Sequence, residues 1–209
     1  MINARRLFGD RETLAHYLAQ DVAAELRRAV LANGRASMAL SGGSTPLLFL
    51  QHLSRENLPW QKITATLVDE RQVPEDHARS NLRMLRENLT PAGLTILPLA
   101  PERVQYLPFD ATVLGMGGDG HTASFFPGGD TLAAALDPAQ PPAVIALNAP
   151  GAGEPRLTFN LAALLQSRSL AIHIEGQLKL DIITTAEASG LPIAAVLDAP
   201  NPATLYWCP

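Results

Sequence analysis

Three short apolar runs in this chain each stop abruptly at a polar, glycine- or charge-dense segment, and helical sequence follows two of them directly. Ala36-Ser37-Met38-Ala39-Leu40 runs into Ser41-Gly42-Gly43-Ser44-Thr45-Pro46 before a helical pattern over Leu47 to Leu53. Thr64 to Val68 ends at Asp69-Glu70-Arg71, ahead of a helix over Ser80 to Leu89, and Ala111 to Leu114 ends in Gly115-Met116-Gly117-Gly118-Asp119-Gly120-His121. Short runs that are apolar throughout, without strict alternation, read as strands buried on both faces, the pattern of a parallel sheet covered by helices. Alternating with helices, they argue an α/β fold on a mainly parallel sheet.

The remaining chain agrees. Asp10 is a plausible N-cap with Glu12 in the first turn, and Leu14, Leu18, Val22, Leu26 and Val30 form an apolar stripe that closes near Asn33-Gly34. Val144 to Leu147 and Leu170 to Ile174 read as further strands, Gln177 to Ala188 as a helix, and Ile193 to Leu197 as one more buried run. Asp137 to Pro142 is a proline-rich surface loop. The expectation is a mainly parallel sheet flanked by helices, Rossmann-like, with room for a small subdomain. A chain of 209 residues fits a single domain over 1–209.

Composition narrows the function. Hydrophobic residues make up 47% and charged residues 17%, enough apolar side chain for a packed core. A net charge of −4 provides no footprint for nucleic acid. Cys208 is the single cysteine, so no intrachain disulfide can form, and no Cys/His spacing suits a structural zinc. Neither a leader pattern nor an apolar stretch of membrane-spanning length is visible, which gives a cytosolic expectation without membrane association or an obligate protein partner.

Ligands of open α/β sheets bind at the carboxyl ends of the strands, where this chain concentrates its polar residues. In Ser41 to Pro46, glycines let backbone N–H groups approach an anion, Ser44 and Thr45 add hydroxyls, and a helix N-terminus follows. These features suit a phosphate, although a tight turn with a Ser/Thr cap would read the same way. The segment lacks a Walker lysine and the third glycine of a dinucleotide fingerprint, so ATP and NAD fit poorly. In Asp69-Glu70-Arg71, Arg71 is a candidate phosphate or oxyanion partner, against the alternative of a solvated charge cluster. His77 reads as exposed, and Asn81 as a cap. The densest segment, Gly115 to Ser124, places Asp119 and His121 among four glycines. A histidine there suits general acid–base work; its competing role is a helix cap. His16 and His52 lie on helices and read as surface residues. Arg156 and Lys179 could complete an anion site, Lys179 because it sits in a first helical turn after a strand-terminal glycine.

The ordered pieces SGGSTP at 41–46, DERQVPEDHARSN at 69–81, GMGGDGHTASFFPG at 115–128, PRLT at 155–158 and HIEGQLK at 173–179 resemble the 6-phosphogluconolactonase family, which is related to glucosamine-6-phosphate deaminases. The resemblance implies hydrolysis of 6-phospho-D-glucono-1,5-lactone to 6-phosphogluconate on an α/β fold, with no metal or organic cofactor and a small phosphosugar lactone as partner. It places Gly42, Gly43, Ser44 and Thr45, with Arg156 and Lys179, around the phosphate. His121 is the implied base and Asp119 the carboxylate beside it, while Asp69 and Arg71, the strand-end pair, count with them among the implied catalytic residues. Deaminases carry an Asn-Glu pair shortly after the DGH motif; Phe125-Phe126-Pro127 stands here instead, which favours the lactonase. A deaminase or isomerase and a non-catalytic sugar-phosphate sensor are the alternatives. Two departures stand out: Pro91 to Phe109 is loop-like where helical sequence would be expected, implying a trimmed edge, and Phe125-Phe126 replaces Leu-Phe on an apolar face, with no chemical consequence expected.

Overall fold

Asp10 opens the longest helix: its backbone is extended and its carboxylate accepts the Thr13 N–H at 2.7 Å, capping α1 (Arg11–Asn33). All five residues of the apolar stripe are buried, and the Gly34 N–H closes the helix on the Val30 carbonyl. The computed structural model describes residues 4–198 and 203–209. Within them the strands are β1 (Ala4–Leu7), β2 (Ala36–Leu40), β3 (Ile63–Leu67), β4 (Asp69–Arg71), β5 (Thr95–Ile96), β6 (Ala111–Leu114), β7 (Val144–Leu147), β8 (Arg156–Phe159), β9 (Leu170–Glu175) and β10 (Thr204–Cys208). The further helices are α2 (Leu47–Ser54), α3 (Asn81–Asn88), α4 (Leu132–Leu136), α5 (Leu161–Leu164), α6 (Gln177–Ser189) and α7 (Ile193–Leu197).

Seven strands form one parallel sheet in the order β1-β10-β9-β6-β2-β3-β5. Its central members β2 and β6 are buried throughout, as the unbroken apolar runs require. From β2 the chain moves to β3 and β5 on one side, then returns to β6 on the other. The switch point of the topology therefore lies between β2 and β6, and the loops after these two strands flank the crevice. Hydrogen bonds from the Ser41 N–H to the Val113 carbonyl (3.0 Å) and from the Gly115 N–H to Ser41 Oγ (3.0 Å) tie the two loops together.

One expectation is corrected and two are refined. Asp69-Glu70-Arg71 is itself a strand, β4, and pairs antiparallel with β8 so that Arg71 faces Arg156. Val144 to Leu147 is a strand but belongs to this second, antiparallel sheet of order β4-β8-β7. Ile193 to Leu197 is a helix, with Ile193, Val196 and Leu197 buried at helical spacing; a five-residue apolar run satisfies either period. The outer strands β1 and β10 carry no punctuation in the sequence to mark them, and β1 is largely exposed. Between 91 and 109 the chain forms the two-residue edge strand β5 and a 3₁₀ turn over Pro101–Tyr106. Among the described residues no helix is long and apolar enough to cross a membrane.

Candidate active site

At the switch point lies a cleft of about 330 Å³. Nine of the ten expected site residues line it: Gly42, Gly43, Ser44, Thr45, Asp69, Arg71, His121, Arg156 and Lys179. Asp119 reaches it through His121. The β2 loop needs a glycine at 42 because a Cβ there would fall 1.9 Å from Asn81 Oδ1. Asn81 in turn donates from Nδ2 to the Asp69 carbonyl at 2.9 Å, so the first turn of α3 is pressed against the glycine loop.

His121 projects from the loop after β6. Its Nδ1 meets Asp119 Oδ1 at 2.5 Å, and its backbone N–H donates to the same oxygen at 3.2 Å. Gly117 makes room for the pair, since a Cβ there would stand 2.2 Å from His121 Cε1 and 2.7 Å from Asp119 Oδ1. Burial pushes the Asp119 carboxyl up, but the His121 backbone donor, its ring charge and its ring N–H together hold it below the ordinary carboxylate value. Two residues on, Ala123 adopts φ 48°, a left-handed conformation that costs a non-glycine residue of order 1 kcal/mol or more and that the surrounding structure must impose.

Asp69 and Arg156 form the opposite kind of pair, both nearly inaccessible. Asp69 Oδ2 accepts from Ser124 Oγ at 2.6 Å and lies 3.6 Å from Arg156 Nη1, while Arg156 Nη2 donates to the Ala152 carbonyl at 2.7 Å. Desolvation lowers the Arg156 pKa, and the Asp69 charge opposes it. Glu70 turns away to cap α3, accepting the N–H groups of Asn81 (2.8 Å) and Leu82 (2.7 Å). Arg71 stays at the cleft with Nη1 anchored on the Arg79 carbonyl at 2.7 Å. Lys179 enters from the first turn of α6; burial lowers its pKa and Glu175 pulls it back up.

Sequence reading misses Arg79 and His173 and takes Asn81 for a cap, whereas Ser80 is the cap and all three of these residues line the cleft. His173 stands in the interior of β9, 2% exposed, with its ring edge-on to Phe49. His77 and His16 are exposed as expected, but His52 is half-buried and meets Glu12 at 2.8 Å. Among the described residues, the buried side-chain polar atoms without a hydrogen bond inside the protein are Arg71 Nε, Asn81 Oδ1, Arg156 Nε, both ring nitrogens of His173, and Glu154 Oε2. The first four of these residues line the cleft; two of the atoms have an ionic neighbour, Glu154 Oε2 at 3.0 Å from Arg79 and His173 Nε2 at 3.5 Å from Glu175, which leaves Arg71 Nε, Asn81 Oδ1, Arg156 Nε and His173 Nδ1 unpaired. Unpaired buried polar groups cost about 1–3 kcal/mol each, so their gathering at one place is the mark of a site built for a polar ligand.

Comparison with known proteins gives the chain a family. The family model described as glucosamine-6-phosphate isomerases/6-phosphogluconolactonase matches residues 9–104 and 96–207. A protein of Rhizobium meliloti named 6-phosphogluconolactonase is 47% identical over 97% of this chain and 97% of its own length. One of the same name from Mesorhizobium japonicum is 43% identical over 97% of this chain and 94% of its own. The crystal structure of a 6-phosphogluconolactonase from Shewanella baltica superposes with a TM-score of 0.92 at 34% identity, covering 100% of both chains. With a near-full-length match in sequence and in backbone, the chain belongs to the glucosamine-6-phosphate isomerase/6-phosphogluconolactonase family.

Proposed function

We propose that this protein is a cytosolic 6-phosphogluconolactonase that hydrolyses 6-phospho-D-glucono-1,5-lactone, with His121 as its base. The observation that carries the reading is the 2.5 Å contact between His121 Nδ1 and Asp119 at the mouth of a cationic cleft. With Nδ1–H committed to the carboxylate, Nε2 is the nitrogen left to accept a proton. A δ-lactone is an activated ester, so the protein must supply a base, charge stabilisation and placement.

In this mechanism Nε2 takes a proton from water as the water oxygen bonds to the lactone carbonyl carbon. The resulting oxyanion faces the Arg71 guanidinium or the N–H groups of the glycine loop. Collapse breaks the bond to the ring oxygen, which takes the proton back from Nε2 and leaves as a hydroxyl; the new carboxylic acid then ionises to solvent. Asp119 holds the imidazole in its reactive tautomer throughout. Gly42, Gly43, Ser44 and Thr45, with Lys179 and Arg156, hold the phosphate, whose remote binding energy fixes the carbonyl beside the base. Asp69 anchors Arg156 and does not exchange protons with substrate.

The test is hydrolysis of freshly generated 6-phosphogluconolactone, followed by acid release, for wild type and His121→Ala with spontaneous opening subtracted. Acceleration that falls about 10²–10⁴-fold in the variant is expected. Wild type that does not outpace spontaneous opening, or that releases ammonia from glucosamine 6-phosphate instead, overturns the reading.

A further inference from the structure

Phe125 and Phe126 are adjacent in sequence but serve different cores. Phe125 enters the main core, fully buried; Phe126 belongs to a small separate cluster with Leu147 and Ala152, beneath the cleft. From this cluster one face of the Phe126 ring meets the His121 imidazole, with centroids 4.0 Å apart and planes inclined by 28°. The Arg156 guanidinium carbon lies 5.0 Å from the same ring's centroid. Both contacts lie at the cleft, which Phe126 itself lines.

The geometry gives this contact a task. The Asp119 contact holds His121 at Nδ1 and, because Nδ1 lies off the Cβ–Cγ bond, resists rotation of the ring, but a single hydrogen bond still tolerates turning by tens of degrees. Turning would swing Nε2 away from any water held in the cleft. A stacked aromatic face removes that freedom, and an electron-rich face also favours an imidazole that becomes cationic midway through the reaction. We infer that Phe126 is a positioning residue for the base: Asp119 sets the pivot of the His121 ring and Phe126 sets its plane, with the small cluster under Leu147 and Ala152 acting as the mount. The inference deepens the reading of His121 as base and rests on it. The replacement of Leu-Phe by Phe125-Phe126 concerns Phe125, which lies in the main core, whereas Phe126 is common to both pairs.

Phe126→Leu keeps an apolar side chain on Leu147 and Ala152 and removes the aromatic face. It is expected to lower kcat about three- to tenfold, with KM within about twofold of wild type, because plane-setting acts on the reacting group and not on substrate binding. An unchanged kcat overturns the inference, as does a rise in KM alone. A second readout needs no folded variant at position 126: in the proton NMR spectrum of wild type, the His121 Cε1–H signal, identified by its loss in His121→Ala, is expected to be displaced upfield by the Phe126 ring current. A signal at the position of an unstacked histidine overturns the inference. The two readings fail separately, since a kcat insensitive to His121→Ala removes the base itself, whereas a kcat sensitive to His121→Ala and insensitive to Phe126→Leu removes only the role of Phe126.

Discussion

Two carboxylate–cation pairs face the same cleft and are built in opposite ways. His121 and Asp119 touch at 2.5 Å with side chains 27% and 45% exposed; Arg156 and Asp69 stand 3.6 Å apart and are 5% and 8% exposed. The tighter pair is the open one. It sits on a glycine loop, with the Phe126 ring packed against one face of the imidazole, and both partners reach solvent. The looser pair is locked by Ser124 and the Ala152 carbonyl, in surroundings where neither charge can be given up cheaply. On the proposed reading, position in the fold separates the two tasks: strand residues of the small sheet hold a fixed field, and a loop residue does the chemistry.

The largest effect should come from breaking the buried pair. Asp69→Ala leaves the Arg156 guanidinium buried without its carboxylate and deprives Ser124 of its acceptor, a loss of about 3–5 kcal/mol in denaturant unfolding. A double variant Asp69→Ala/Arg156→Met should recover part of that loss by removing the stranded charge. If Asp69→Ala unfolds at the wild-type midpoint and loses only turnover, the buried pair belongs to the chemistry and the division of labour collapses.

The same contrast governs what the sequence makes legible. His121, Asp119 and the glycines beside them stand out because strand ends in an α/β sheet are where ligands bind, and because four glycines around one histidine are costly in a loop that needs neither unusual dihedrals nor a close approach of backbone to ligand. Lys179 is legible from its place after a strand-terminal glycine. Arg79 is not: it is one charge among several in a loop, and its place at the cleft depends on a contact with Glu154 some 75 residues away. His173 sits inside an apolar strand, where sequence offers no means to tell a site residue from a packed one. The sheet β4-β8-β7 escapes a sequence reading because Asp-Glu-Arg has no strand pattern; its pairing with β8 exists only in the folded chain.

Gly117→Ala probes the open pair. Its Cβ would lie 2.2 Å from His121 Cε1 and 2.3 Å from Nδ1, so the imidazole must shift by about an ångström or more, enough to cost on the order of 10²-fold in kcat. Because the pair is half-exposed it can move at the expense of its Phe126 contact but without disturbing the main core, and alanine restricts the unfolded chain slightly more than glycine does. The expected signature is therefore activity lost with the unfolding midpoint unchanged or slightly raised. A variant that loses activity and stability together would mean that the loop is mounted as rigidly as the small sheet, and the contrast would fail.

The smallest effect concerns the charge of the open pair, read as stability and separately from turnover. The Asp119 carboxyl titrates below its ordinary value of 3.8 in the folded protein, so folding favours its ionised form. The stability this contributes is present above about pH 4 and is lost as pH falls through the depressed folded value, where the proton is taken up. Asp119→Asn lacks the contribution at every pH. Wild type should thus unfold at slightly higher denaturant than the variant near neutrality, the two should converge in acid, and added salt should shrink the gap because the pair is open to solvent. A gap of constant size across the acid range would assign Asp119 a purely geometric part, as the acceptor that shapes the loop through the His121 backbone N–H at 3.2 Å. The contrast between the pairs would then lie in burial alone and not in the mobility of their charge.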